Sequence, residues 1–259
     1  MNEPFYELEI KTANCFIEIL VNDLPVFSNY EEGGLAVDYP INDAILGSGK
    51  QSIEIKILSA KAGENISKYA RAEIKIYVKE ANKEASGRNM VLEVPMINFN
   101  ENKFPVNSNI YSFVATVPYK NRGWESSINL KTIDKNVLIR ALEDKLHIIM
   151  LIYNSRNEKE YNKFFENRNE EHNRCFYLTK TEIEDNKDTV FYGLPQKIES
   201  INKNLYKLVF YGNDKLVSLQ AKHQPPGFVF ESINKDEYGF TEMVLFHIKD
   251  KNSSLEAIR

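Results

Sequence analysis

Along the first 80 residues apolar side chains recur at every second position. Cys15, Ile17, Ile19 and Val21 fall on one face, with Phe16, Glu18 and Leu20 on the other, because side chains in a strand point to alternate sides. The pair Asn22-Asp23 then separates this run from Leu24 to Phe27, which reads as a hairpin, although Asn-Asp is a weaker turn pair than Asn-Gly. Leu35, Val37 and Tyr39 alternate again, as do Ile53, Ile55 and Ile57, and Ile74, Ile76 and Val78. Short alternating runs split by Gly/Asn/Asp turns predict an antiparallel β-sandwich-like domain over 1–80.

The polar stretch 81–89, with Gly87 inside it, is the expected linker, and the alternative is a long hairpin loop inside one larger sheet. Residues 90–259 are then expected to form a second domain. Met90 to Met96 and Asn109 to Val117 read as strands, the latter with Tyr111, Phe113, Ala115 and Val117 on one face. The period then changes. Leu138, Leu142, Leu146, Ile149, Met150 and Tyr153 form one stripe at helical spacing, with Asp134 or Thr132 as its cap. A second helical segment runs from Glu158 to about His172, with Tyr161, Phe164, Phe165, Arg168 and His172 on one side, and a third from about Thr181 to Phe191. Alternation returns at Leu205 to Tyr211 and at Lys215 to Lys222, joined by Gly212-Asn213-Asp214. Phe228 to Ser232 and Glu242 to Lys249 complete a C-terminal antiparallel meander. Helices grouped between strands predict an α+β, β-rich protein in place of alternating α/β.

Charge sharpens this division. Residues 1–80 carry 8 basic and 13 acidic side chains, and residues 81–259 carry 25 and 24. The formal net charge of −4 argues against a nucleic-acid partner. The start of the chain is acidic and lacks an apolar leader core, and the expected location is cytoplasmic. No apolar run approaches the ~18 residues of a membrane-spanning helix, so no membrane partner is expected.

Candidate chemistry is sparse. Gly47-Ser48-Gly49-Lys50-Gln51 lacks the spacing and hydroxyl of a phosphate loop, and a strand follows it where a helix belongs. His172 and Cys175 would share a helix face, but no further ligand or CxxC pair accompanies them. There is no Gly-x-Ser-x-Gly elbow and no His-Glu-x-x-His. Neither a cofactor nor a metal is expected. Binding candidates are Tyr119, Arg122 and Trp124, on a loop suited to stacking and hydrogen bonding, or else to plugging a gap between sheet and helix. Tyr30, Glu31 and Glu32 form a second, acidic loop suited to a basic partner, and His223 opens a Pro-rich turn.

The leading expectation is a binding or inhibitory protein, for example of the immunity type, acting inside the cell on a protein partner. One alternative is an enzyme assembled from distant residues such as His223, His172, Cys175 and Arg122. Another is a ligand- or carbohydrate-binding β-sandwich protein with Tyr119 and Trp124 as its platform.

Overall fold

The computed structural model describes residues 1–61, 63–82, 87–96, 99 and 104–259. It is mixed α+β and strand-rich, with antiparallel sheets that do not close into a barrel. The chain divides into two compact units: residues 1–121 with 175–177, and residues 122–174 with 178–259.

Among its described residues unit 1 holds eight strands: β1 (Pro4–Ala13), β2 (Phe16–Val21), β3 (Leu24–Asn29), β4 (Gly34–Pro40), β5 (Gly49–Leu58), β6 (Arg71–Glu80), β7 (Asn89–Glu93) and β8 (Val106–Ala115). They form two antiparallel sheets in the orders β4-β1-β6-β7 and β3-β2-β5-β8. The inward rows are those the alternation picks out: Ile17 and Ile19 of β2, Ile53, Ile55 and Ile57 of β5, and Ile74 and Ile76 of β6, all buried. Each such side chain contributes about 1.5–3 kcal/mol on leaving water. Asn22 and Asp23 both take positive φ, +52° and +59°, which is the geometry a two-residue hairpin turn requires. β6 and β7 pair with each other on either side of 81–88, and β8 pairs with β5 over ten residues. Both strands expected at the start of the second domain are therefore drawn into unit 1, because the open edges of β5 and β6 satisfy their backbone groups. Part of the expected linker, 83–86, lies outside the described residues.

Unit 2 is built around α1 (Lys135–Ser155). Asp134 caps it, accepting from the amides of Asn136 at 2.9 Å and Val137 at 3.2 Å, so two otherwise orphan donors are satisfied. Its buried stripe is Leu138, Leu142, Leu146, Ile149, Ile152 and Tyr153. Ile152 takes the buried place that the sequence pattern gives to Met150. The second helical segment is two helices, α2 (Glu158–Phe164) and α3 (Glu166–Cys175), separated at buried Phe165. α4 (Lys180–Asp188) starts in a capping box of Thr179 and Glu182. Seven short strands follow: β9 (Ile198–Ser200), β10 (Tyr206–Tyr211), β11 (Leu216–Ala221), β12 (Gly227–Ser232), β13 (Phe240–Met243), β14 (Phe246–His247) and β15 (Glu256–Ala257). They lie in two antiparallel sheets, β10-β11-β14-β15 and β13-β12-β9. Among the described residues no helix is long and apolar enough to cross a membrane.

Candidate functional site

The loop that opens unit 2 is clamped in place. Trp124 is 4% exposed, and a Cβ at Gly212 would overlap its indole nitrogen. Gly212 thus serves twice, giving the β10–β11 turn its positive φ of +58° and letting the indole sit against the backbone. The Arg259 guanidinium lies over the indole at 5.1 Å. Glu171 joins the parts, accepting from the Gly123 amide and from Arg259, both at 2.8 Å. Tyr119, in unit 1, is 8% exposed. Its hydroxyl donates to the Asn42 carbonyl at 3.0 Å, and its ring lies 6.0 Å from that of Tyr177. Burial first, then the neighbouring Cys175, Tyr177 and Asp43, pushes the Tyr119 phenol well above its ordinary range. Both rings are buried, so neither forms an open platform. Arg122 remains exposed.

The other expected positions are dispersed. Tyr30 is half-buried, donating to Glu18 at 2.6 Å, while Glu31 and Glu32 are exposed between β3 and β4. His223 is exposed in the turn after β11, at φ +58°. Cys175 is buried in unit 1, and His172 is exposed on α3 of unit 2. Among the described residues no three of His, Cys, Asp and Glu gather as metal ligands.

Two polar networks in unit 2 were not expected. In the first, Ser127 Oγ lies 2.7 Å from His247 Nδ1, both side chains being buried, and His247 Nε2 is 4.0 Å from Glu256. The carboxylate can only accept, which favours a proton on Nε2 and leaves Nδ1 to take the serine hydroxyl. In a hydrolytic triad it is Nε2 that faces the nucleophile. Glu256 also lines a cleft of about 220 Å³ with Lys145, Lys163 and Glu166. Burial holds the His247 imidazole below its ordinary value, with Arg122 and Arg259 adding to the depression and Glu256 and Glu171 opposing it. A histidine with a depressed folded-state pKa favours folding only while neutral, so its contribution is lost as pH falls below about 6.5, the unfolded value. The melting temperature of unit 2 is expected to fall between pH 7.5 and 5. His247→Asn keeps an acceptor for Ser127 and should show a shallower fall in thermal melts; an equal slope would contradict the assignment.

In the second network Arg168 donates to Glu242 Oε1 at 2.7 Å and to the Tyr161 hydroxyl at 2.9 Å, while Tyr153 donates to Glu242 Oε2. The guanidinium lies 3.7 Å from the Phe165 ring centre. These groups cross-link the aromatic core of unit 2. A larger cleft of about 660 Å³ runs along α2, α3 and α4, lined by Asn162, Asn169, Asn173, Glu166, Arg174 and Lys187 among others.

The feature that distinguishes unit 1 is an edge. A strand at the end of a sheet presents unpaired N–H and C=O groups, and soluble proteins blunt such edges with charge, proline, bulges or brevity. β3 carries Pro25, and its pairing with β2 shifts register at Ile19/Leu20. β4 carries Asp38 and Pro40. β7 is five residues long, carries Glu93 and pairs across a register shift. β8 has none of these devices. It spans ten residues in unbroken register with β5, and no charged residue occurs from Phe104 to Tyr119. Among the described residues no strand pairs with its second edge. Its outward row is Val106, Ser108, Ile110, Ser112 and Val114, with Val106 47%, Ile110 71% and Val114 67% exposed. The inward row begins to close at Phe113 and Ala115, which are buried.

Comparison with models of protein families, with curated proteins and with solved structures finds no match to this chain.

Proposed function

We propose that this chain is a binding protein that works by association with another polypeptide, which adds a strand to the free edge of β8. The observation that carries the reading is the contrast among the sheet edges of unit 1: β3, β4 and β7 bear charge, proline or a register shift, while β8 is long, regular and uncharged. Backbone hydrogen bonds along such an edge supply affinity, and the alternating outward row supplies specificity. Val106, Ile110 and Val114 suit an extended, uncharged segment with small apolar side chains at alternate positions. The acidic loop at Glu31 and Glu32 is not needed for this contact. The burial of Ser127 and His247 fits a structural role for that pair better than turnover.

The test is a comparison of the chain with a variant carrying Ile110→Lys and Val114→Lys, each produced at native level and sized in fresh cell extract. Both positions are exposed, so the fold is expected to melt unchanged. The wild-type chain should elute within an assembly larger than one chain, and the lysine variant as a single chain. Identical elution of the two would overturn the reading.

A further inference from the structure

The outward row of β8 reads Val-Ser-Ile-Ser-Val from 106 to 114, the same in both directions about Ile110. An antiparallel strand laid on the free edge with Ile110 opposite itself therefore meets its own pattern, Val106 against Val114 and Ser108 against Ser112. We infer that the strand added to β8 is β8 of a second copy of this chain, related by a two-fold axis through Ile110. This rests on the reading of β8 as an association edge. It deepens that reading by naming the occupant.

Symmetry, charge and area agree with it. A two-fold interface must be self-complementary, each residue pair occurring twice about the axis, and the palindrome meets that condition on the outward face. Inward, Asn107 would face Phe113 and Asn109 would face Tyr111 of the partner copy, so the two asparagines meet aromatic edges and no like charges are opposed. Two copies of a chain with net charge −4 repel at long range, but β8 itself has no charged residue, and the carboxylate that reaches it, Glu54 accepting from Ser108 Oγ at 2.7 Å, is paired with Lys56 at 3.5 Å. The nearest carboxylate on the axis is Glu54, which registers with Ile110 in β5. The two Glu54 residues would lie three strand spacings apart, roughly 14 Å, beyond the ~8 Å screening length of physiological salt. Pro105 lacks an amide donor and marks where the ladder stops. A ten-residue strand is roughly 34 Å long. Pairing it along its length buries on the order of 1,000 Å² in total, about the lower limit for a specific interface.

The experiment uses the purified full-length chain. Sedimentation across a concentration series from about 1 to about 100 μM should show a monomer–dimer equilibrium, and Ile110→Lys, which sets two like charges face to face, should weaken it at least about tenfold. Register is read by cysteine. Under mild oxidation by oxidised glutathione Ile110→Cys should give a disulfide-linked dimer, because the residue is its own partner. Val106→Cys should not, because its partner is Val114, and the double variant Val106→Cys with Val114→Cys should again cross-link. The native Cys15 and Cys175 are both buried and do not compete. Equal cross-linking of Ile110→Cys and Val106→Cys, or a monomer at every concentration, overturns the second copy as occupant. If the purified chain is monomeric while the assembly in cell extract still dissolves on lysine substitution, the occupant is another protein and strand addition stands. If that assembly is also indifferent to lysine, both readings fall.

Discussion

Replacing Arg168 with Met should destabilise unit 2 by about 3 kcal/mol, because it leaves the buried carboxylate of Glu242 without its countercharge. Arg168 is half-buried, and burial works against its charge, but Glu242 and Tyr161 more than compensate and hold its pKa above the ordinary guanidinium value. Without it, Glu242 keeps only the Tyr153 hydroxyl. Burial first, and the nearby carboxylate next, push the Tyr153 phenol far above its usual range, so it stays a neutral hydrogen-bond donor. The carboxylate is then held in the interior without a countercharge, which is what costs stability. Urea titration followed by far-UV circular dichroism measures the loss. The double variant Arg168→Met with Glu242→Leu should recover most of it, since replacing both partners removes the buried charge itself. A single variant as stable as wild type would mean that the pair is hydrated and contributes little.

The largest effect in unit 1 is expected at Asn42. Its side chain is fully buried and does the work of a short strand. Oδ1 accepts from the Tyr6 amide at 2.6 Å, and Nδ2 donates to the carbonyls of Pro4 at 3.0 Å and Cys175 at 2.9 Å. Asn42→Ala leaves the Tyr6 amide without its acceptor and removes one donor each from the Pro4 and Cys175 carbonyls, of which Pro4 keeps the Tyr177 hydroxyl at 3.0 Å. At about 1–3 kcal/mol for each unsatisfied group, partly relieved by relaxation, the loss should reach about 3 kcal/mol. Thermal melts of Asn42→Ala beside Asn2→Ala, an exposed control, check it. A drop in melting temperature of several degrees is expected for the first and none for the second. Equal melting of the two would remove the network from the account of unit 1.

Local rules carried the fold far. Period-two rows placed β2, β3, β4, β5 and β6 of unit 1 but not β1, and one period-3.6 stripe placed α1, whose cap Asp134 is one of the two candidates the pattern offers. The positive φ of Asn22, Asp23, Gly212, Asn213 and Asp214 falls in segments rich in the residues that tolerate it. What stayed illegible is long-range pairing. Nothing near 81–89 says that β7 folds back on β6, or that β8 pairs with β5 across roughly fifty residues. The networks follow the same division. Arg168 falls on the aromatic side of its helical segment, and a charge on an apolar face calls for a carboxylate, but the sequence cannot say that Glu242 is the one. His247 sits in a strand pattern with no mark of Ser127. The candidate surface was half legible. The alternation over 109–117 put Tyr111, Phe113 and Ala115 on one face, whereas which face is inward and the exposure of Ile110 and Val114 depend on β8 being an end strand, which only the pairing order decides.

The Trp124 loop is instructive because both of its sequence readings used the same residues. An indole and a guanidinium between sheet and helix suit a binding platform or a plug. The choice was made by Gly212 and Arg259, which close over the ring from segments far along the chain.

The central claim, that another strand occupies the free edge of β8, is tested most directly by residue-resolved amide hydrogen exchange over 106–115. In an antiparallel ladder alternate amides face opposite neighbours. In the associated wild-type protein both sets should be protected, the one by β5 and the other by the added strand. In Ile110→Lys only the set facing β5 should remain protected. Free-edge amides that exchange equally fast in both proteins would contradict the account.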